Sequence, residues 1–171
     1  NLTAKIKQEA ERLAHILAVN PAVSYSLKAD PQATGGFIVN FASSNVAQTT
    51  GYTPAQWLGT PGLWLERVHP DDRLKAMQAQ QQLHETGALQ HEYRFLHADG
   101  AYRWIYDQLV LTHNLSGHRT GAVGAWLDVT DRKQAEEQLR LTAQVFESSQ
   151  EGIVITDADN HFLSVNRAFT E

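Results

Sequence analysis

The sequence predicts an α+β fold in which strands and short helices lie between two flanking amphipathic helices. Apolar residues spaced three and four apart run through the first residues, which is typical of an amphipathic helix. Asp99-Gly100 separates two segments rich in Tyr, Phe and Trp, which predicts a β-hairpin. Beyond the apolar run 122–127 the pattern changes abruptly to that of a charged helix. These observations place three antiparallel strands directly before a C-terminal helix.

The N-terminal part predicts one helix followed by two strands. Asn20-Pro21 ends the helix, because the residue before a proline is disfavoured in the helical region. Alternation in residues 23–27 and the apolar run 37–41 predict the strands, with a turn-rich loop over residues 30–36 between them. The apolar stripe of the helix comprises Leu2, Ile6, Ala10, Leu13 and Leu17.

The middle of the chain predicts several helices. Residues 43–51 form a short segment that begins with capping residues and ends at glycine. In residues 53–59, Thr53 is the predicted N-cap and Pro54 occupies the first helical position. A longer helix is predicted from Pro70 to about residue 84, ended by Thr86-Gly87.

The C-terminal part predicts three strands and an exit helix. The aromatic hairpin covers residues 91–104. Ser116-Gly117 and Gly121 mark a second turn before the apolar run 122–127. The charged segment that starts near Thr130 predicts the exit helix.

These motifs, in this order, resemble a PAS domain from about residue 12 to residue 133. The hairpin carries the pattern YR…DG…RW, and residues 128–133 (Asp-Val-Thr-Asp-Arg-Lys) resemble the exit motif of the family. Residues 45–59 resemble its N-x-A…G-Y…G stretch. The resemblance implies a PAS fold, with a five-stranded antiparallel sheet, short helices over one face, and flanking helices at both ends.

A partial internal repeat predicts a second copy of this fold. Residues 152–171 resemble the start of the first domain, and Asn166 falls where Asn45 lies. We expect a chain excised from a longer protein, and we expect residues 152–171 to pack against the first domain or a neighbouring chain. The predicted organisation is a flanking helix (1–18), a PAS domain (19–132), a linker or signalling helix (133–149) and the truncated start of a second PAS domain (150–171).

Composition excludes several classes of function. The net charge of −5 argues against nucleic acid as a partner, because phosphate binding needs a basic face. Cysteine is absent, which excludes disulfides, thiolate metal sites and the covalent flavin adduct. No apolar run is long enough to span a bilayer, so we expect no membrane contact from this segment. The expected location is the cytoplasm, whether or not the parent protein is membrane-anchored.

The sequence offers no catalytic or metal-binding pattern. Its eight histidines have no metal-ligand spacing and are predicted to be solvated on the surface. His84 lies on the helix that carries the haem ligand in haem-binding relatives, but its polar neighbours argue against haem. No P-loop, nucleophile elbow, kinase motif or cyclase motif is present. We therefore predict that the chain is not an enzyme, that its cofactor is unknown, and that any catalytic output lies outside it.

The resemblance to PAS domains implies a pocket between the short helices and the sheet. Arg94 could pair there with a ligand carboxylate. The alternative is that the aromatic residues only fill the core, with Arg94 paired to an acid such as Glu92 or Asp107. Alternation leaves open which residues of the Arg94 strand face inward. The candidate ligand-binding residues are Tyr25, Phe41, Trp57, Trp64, Arg94, Trp104 and Trp126.

The predicted function is that of a sensory module in a bacterial signalling protein, either a histidine kinase or a cyclic-di-GMP cyclase or phosphodiesterase. The resemblance implies that a small ligand is sensed and that Asp128, Thr130 and Asp131 relay its state to the exit helix and a downstream output domain. We expect a homodimer formed through the flanking helices. The alternative is a ligand-free module for dimerisation or protein interaction.

Overall fold

A computed structural model describes residues 2–170, which form two compact units, one up to Thr130 and one from Asp131 onward. The end residues of the predicted organisation, Asn1 and Glu171, lie outside the described residues. So does the side chain of Leu2, the first member of the predicted apolar stripe.

The first unit is built on a five-stranded antiparallel sheet. Its spatial order is β2-β1-β5-β4-β3, so the first and last strands of the unit in sequence, β1 and β5, are neighbours. This confirms the predicted fold class. The strands are β1 (Val23–Ala29), β2 (Phe37–Ala42), β3 (Ala88–Leu96), β4 (Tyr102–His113) and β5 (Arg119–Asp128).

Five helices accompany this sheet, and a sixth follows it. The loop between β1 and β2 also contains a single 3-10 turn, Thr34–Gly36. The α-helices are α1 (Leu2–Val19), α2 (Val46–Thr50), α3 (Pro54–Gly59), α4 (Leu63–Arg67), α5 (Pro70–Thr86) and α6 (Thr130–Ser148).

The ends of the short helices follow from local chemistry. Helix α2 stops at Gly51, which has φ of 78°, a left-handed conformation that glycine adopts without steric cost. Thr53 and Gln56 then form a reciprocal capping box, with Pro54 at the first helical position of α3. These features confirm the predicted starts and stops, although Asn45 makes no side-chain cap at α2.

The core lies between the sheet and α2 to α5. Trp57 of α3 packs against Trp126 and Phe95, with ring centroids 4.8 Å and 5.7 Å away. Its indole nitrogen donates to the hydroxyl of Thr50 at 3.2 Å, so the one polar atom of the buried ring is satisfied. Trp57 therefore packs α3 against the inner face of the sheet and bonds it to α2.

Two details differ from the sequence predictions. Gly121, predicted to mark a turn, lies inside β5 and pairs with Lys28 and Thr112. A Cβ atom at this position would lie 1.9 Å from the carbonyl oxygen of Leu27, so close backbone approach rather than a turn requires glycine here. Helix α4, which follows Gly62, was not predicted individually.

The second unit contains α6, a hairpin and a short helix. The hairpin strands are β6 (Val154–Thr156) and β7 (Phe162–Val165), joined across a turn at residues 157–161, and α7 (Arg167–Thr170) follows. The predicted packing of residues 152–171 against the first domain or a neighbouring chain stays a prediction.

The two units share one hydrogen-bond arrangement. It is made by Asn45 and Asn166, the two asparagines that the sequence repeat aligns. The side-chain amide of Asn45 donates to the carbonyls of Asn20 and Ala22, just before β1. The amide of Asn166 donates to the carbonyls of Phe146 and Glu151, just before β6. Both asparagines are buried, so these bonds hold the entry to each first strand.

No helix within residues 2–170 combines the length and the apolar character that crossing a membrane requires.

Candidate functional site: a cavity with a buried carboxylate cluster

A cavity of about 640 Å³ lies between the inner face of the sheet and the short helices. Its walls come from all five strands together with residues of α2, α3, α4 and α5. Four of the seven predicted ligand-binding residues line it: Tyr25, Trp57, Trp64 and Trp126. A volume of this size is in the usual range for a small-molecule site.

Asp107 is the central polar residue of the cavity wall. It lies on β4 in the inward-facing series Ile105, Asp107, Leu109 and Leu111, all of which are buried. A buried carboxylate is costly unless donors surround it. Its side chain is only 5% exposed, so its partners decide whether the fold tolerates it.

Three side chains contact the Asp107 carboxylate. The hydroxyl of Tyr25 donates to Oδ1 at 2.7 Å, and that of Tyr93 donates to Oδ2 at 3.3 Å. Nε2 of His91, the residue directly opposite on β3, lies 3.3 Å from Oδ2. We call Asp107, His91, Tyr25 and Tyr93 the carboxylate cluster.

The hydroxyl groups of Tyr25 and Tyr93 keep their protons and therefore act as hydrogen-bond donors. Burial raises the pKa of Tyr25 and of Tyr93 well above the usual value of 10.0, and the negative charge of Asp107 raises both further. Trp64 donates its indole N–H to the oxygen of Tyr93 at 2.8 Å, which leaves the Tyr93 proton for Asp107. The cluster thus joins three strands, and Trp64 links it to α4.

Gly124 makes the Tyr25 contact possible. Tyr25 lies on β1 and Asp107 on β4, with β5 between them. The Tyr25 side chain crosses β5 at Gly124, where a Cβ atom would lie 2.5 Å from the ring carbon and hydroxyl of Tyr25. Glycine is required here because a larger residue would overlap the Tyr25 side chain, and not because of its backbone conformation.

Three predicted ligand-binding residues do not line the cavity. Phe41 is 42% exposed on β2. Arg94 donates to both carboxylate oxygens of Asp72 at 2.9 Å and 2.7 Å, and its guanidinium lies over the ring of Trp104 with 5.6 Å to the centroid. Arg94 is therefore a structural link between β3 and the first turn of α5. It pairs with an acid, as the alternative expected, but that acid is Asp72 rather than Glu92 or Asp107.

The expectation of solvated surface histidines was wrong for His91. Its side chain is 7% exposed and lies in the cavity wall. His84, considered for haem, stacks on Phe37 with ring centroids 5.3 Å apart, and its Nε2 lies 3.3 Å from the carbonyl oxygen of Gly35.

Sequence reasoning missed Asp107, His91 and Tyr93 as site residues. The signal that could have found them was alternation. Tyr93 and Phe95 share one face of β3, and an aspartate interrupts the apolar face of β4.

Among residues 2–170, one exposed group has metal-compatible spacing, formed by Asp157, Asp159 and His161 in the β6–β7 turn, and exposed acidic groups of this kind are common without an ion.

The residues predicted to relay a signal form the junction between β5 and α6. The Thr130 hydroxyl oxygen accepts from the backbone N–H of Trp104 at 2.9 Å, and Asp128 Oδ1 accepts from the backbone N–H of Thr130 at 2.9 Å. The backbone N–H of Val129 also donates to the Trp104 carbonyl at 2.8 Å. Asp131 lies exposed in the first helical turn. Thr130 and Val129 thus bond to the main chain of β4, the strand that carries Asp107.

Comparison with known families agrees with this architecture. The family model described as PAS fold matches residues 39–125, just over half of the chain. The chain belongs to the PAS family. A second model, described as PAS domain, matches residues 140–171, which is consistent with the start of a second PAS domain.

Curated relatives of this PAS chain are much longer than it is. It is 32% identical over 110 residues to the two-component sensor PprA of Pseudomonas aeruginosa, a match that covers 62% of the chain and 12% of that protein. It is 28% identical over 142 residues to a methyl sulfide methyltransferase-associated sensor of Methanosarcina acetivorans, covering 82% and 14%. The chain therefore spans only a small part of these relatives.

Solved PAS structures share the fold. A sensory box histidine kinase/response regulator from Burkholderia thailandensis matches with a TM-score of 0.57 and 28% identity, covering 78% of this chain and 95% of that one. The N-terminal domain of a diguanylate cyclase with PAS/PAC sensor from Marinobacter aquaeolei matches with a TM-score of 0.57 and 22% identity, covering 66% and 98%.

The Arg94–Asp72 pair predicts a loss of stability in acid. Arg94 holds the pKa of Asp72 below its usual value of 3.8, mainly by hydrogen bonding. The pair therefore stabilises the fold at pH above that value, and this contribution disappears as pH falls through the lower pKa of the folded state. We expect Asp72→Asn to reduce the free energy of unfolding by about 1–2 kcal/mol at pH 7 and by much less near pH 3, measured by urea denaturation.

Asp71→Asn is the matched control for this prediction. Asp71 shares the first turn of α5, so both variants remove the same interaction with the helix dipole. Asp71 is 74% exposed, however, and lies 3.6 Å from Arg94. An equal loss in both variants, or a difference between wild type and Asp72→Asn that does not change with pH, would contradict the assignment.

Proposed function

We propose that this PAS chain is a sensory module that binds a small organic molecule in the cavity and passes the bound state to α6. The observation that carries the proposal is the cavity of about 640 Å³ with the carboxylate cluster in its wall. Aromatic residues that merely filled a core would leave no such space. A buried charge beside an open cavity is costly for folding, which favours a role in recognition.

The route proposed for the signal follows β4. Asp107 lies on this strand, three positions from Trp104, whose main chain holds Thr130 and Val129. A ligand that pulls on the carboxylate would shift β4 and so alter the hydrogen bonds at the start of α6. In this proposal Asp128 orients Thr130, and Asp131 complements the positive end of the helix dipole.

The parent protein is proposed to be a multidomain bacterial signalling protein of the cytoplasm. Two curated relatives are named as sensors, and the structural neighbours include a histidine kinase/response regulator and a diguanylate cyclase. By this analogy the output domain belongs to the same polypeptide and is a histidine kinase or a cyclic-di-GMP enzyme. The chain itself supplies sensing and relay, and residues 150–171 begin a second PAS domain.

A second candidate function is dimerisation without a ligand. It is favoured by α1, on which Ile6 and Leu13 of the predicted stripe are 61% and 53% exposed. Apolar side chains on one face of a helix are typically covered by a partner. Dimerisation through the flanking helices is also compatible with ligand sensing, so the ligand experiment below decides between the two functions.

Filling the cavity should abolish ligand binding. We expect the purified wild type to release a small molecule in near-stoichiometric amount on denaturation, detected by mass spectrometry. Leu109→Trp, which adds bulk to the cavity wall, should release little or none. Val110→Trp is the matched control, because Val110 is 51% exposed and does not line the cavity. A wild type that releases nothing, or a Leu109→Trp protein that releases as much, would favour the ligand-free module.

The relay through Thr130 should be visible in hydrogen exchange. Removal of the ligand should change the exchange rates of the first amides of α6 in the wild type. Thr130→Val leaves the Trp104 N–H without its acceptor, and we expect it to abolish this response. Thr130→Ser keeps the hydroxyl and should preserve it. An unchanged response in Thr130→Val would remove Thr130 from the relay.

Charges on the apolar stripe of α1 should weaken dimerisation. We expect Ile6→Glu with Leu13→Glu to convert the dimer to a monomer in light scattering coupled to size exclusion. Gln8→Glu with His15→Glu, two exposed positions at the same spacing on another face of the helix, is the control and should remain dimeric. A monomeric wild type at high concentration would refute the dimer.

A further inference from the structure

The charged and titratable residues that line the cavity differ in burial. Glu66 is exposed at the surface of the cavity, whereas Asp107 and His91 are buried in its wall. Arg73 also lines the cavity, but its guanidinium donates to the carbonyls of Val68 at 3.0 Å and Glu66 at 2.8 Å. The buried part of the cavity wall therefore contributes a carboxylate, whereas the arginine that lines the cavity is bound to the main chain.

The carboxylate of Asp107 keeps capacity for another donor. Two carboxylate oxygens together accept about four hydrogen bonds. The protein places three side chains around it, and their distribution is uneven, because Oδ2 faces both Tyr93 and His91 whereas Oδ1 accepts from Tyr25 alone. A ligand N–H that reaches Oδ1 would complete the set.

The walls beside this carboxylate are aromatic. Trp57, Trp64 and Trp126 line the cavity together with Tyr25. The faces of such rings attract cations, most strongly for tryptophan, and they also cover apolar carbon. An anionic ligand would instead place a second negative charge beside Asp107 in a poorly solvated space, where like charges repel strongly.

We propose that the cavity selects a protonated organic amine, whose ammonium group donates to Asp107 while its carbon skeleton lies against the indole rings. This inference rests on the proposed function, since it names the ligand class of the same cavity. It reverses the polarity expected from sequence, in which Arg94 would have recognised a carboxylate. Arg94 instead pairs with Asp72, and Asp107 is the buried carboxylate in the cavity wall.

Two pairs of probes with matched skeletons test the choice of charge. Tryptamine is compared with indole-3-acetate, and phenethylamine with 3-phenylpropanoate, by isothermal titration to ligand-stripped wild-type protein. We expect at least one amine to bind, and each amine that binds to do so at least about tenfold more tightly than its acid. Asp107→Asn should weaken amine binding by about tenfold or more while thermal unfolding shows that it is folded.

Glu66→Gln is the matched control. It removes the same charge from an exposed position on the cavity, and we expect less than about a twofold effect because water screens exposed charges. Tyr25→Phe provides a second variant, since it removes one donor from Oδ1 without removing the carboxylate, and we expect it to weaken amine binding less than Asp107→Asn does.

Several outcomes would overturn the amine inference. They are equal or tighter binding of the acids, equal losses in Glu66→Gln and Asp107→Asn, or failure of both amines to bind wild type. The proposed function fails separately, because it requires a molecule released by the wild type and absent from Leu109→Trp. A released molecule that is acidic or neutral would keep the sensory function and reject the amine.

Discussion

A carboxylate inside an apolar cavity constrains most of the first unit. Asp107 is buried, and ionised groups in such surroundings require donors arranged around them. Tyr25, Tyr93 and His91 supply those contacts from two other strands, and Trp64 orients Tyr93 from α4. Removing any one of them would leave the carboxylate less satisfied, so strands β1, β3 and β4 are held in register around one side chain.

Alternate residues of β3 and β4 make two different sets of contacts. Inward-facing residues of β3 and β4 form the cavity wall, whereas Arg94 and Trp104 belong to the alternate set, where Arg94 joins β3 to α5. The main chain of Trp104 also holds Thr130 at the start of α6. One strand, β4, therefore carries the polar residue of the cavity and the anchor of the exit helix within four consecutive positions. The proposed relay from the ligand to the exit helix would need to cross only these four positions.

Most of the fold was predictable because it is specified by local signals. Turn glycines, the Thr53–Pro54 start of α3 and the Asp99-Gly100 hairpin each act over a few residues, and the structure confirms them. Gly121 was misassigned because its role depends on β1, a strand distant in sequence. The repeat relation between Asn45 and Asn166 was visible in sequence, although the hydrogen bonds that explain it were not.

The site was harder to predict than the fold, because its polarity depends on which alternate residues face inward. Alternation left the inward face of the Arg94 strand open, so Arg94 was named as a candidate ligand-binding residue and His91 was expected to be solvated. The alternation of Ile105, Asp107, Leu109 and Leu111 contained the information, since an aspartate within an otherwise apolar face is costly unless it has partners. Those partners come from β1 and β3, and only the three-dimensional pairing of the strands brings them together.

A crystal structure of the freshly purified protein would test the central claim most directly. The account predicts electron density for an organic molecule in the cavity, with a donor atom within hydrogen-bond distance of an Asp107 carboxylate oxygen. A cavity that holds only ordered water, or that is closed by rearranged side chains, would contradict it.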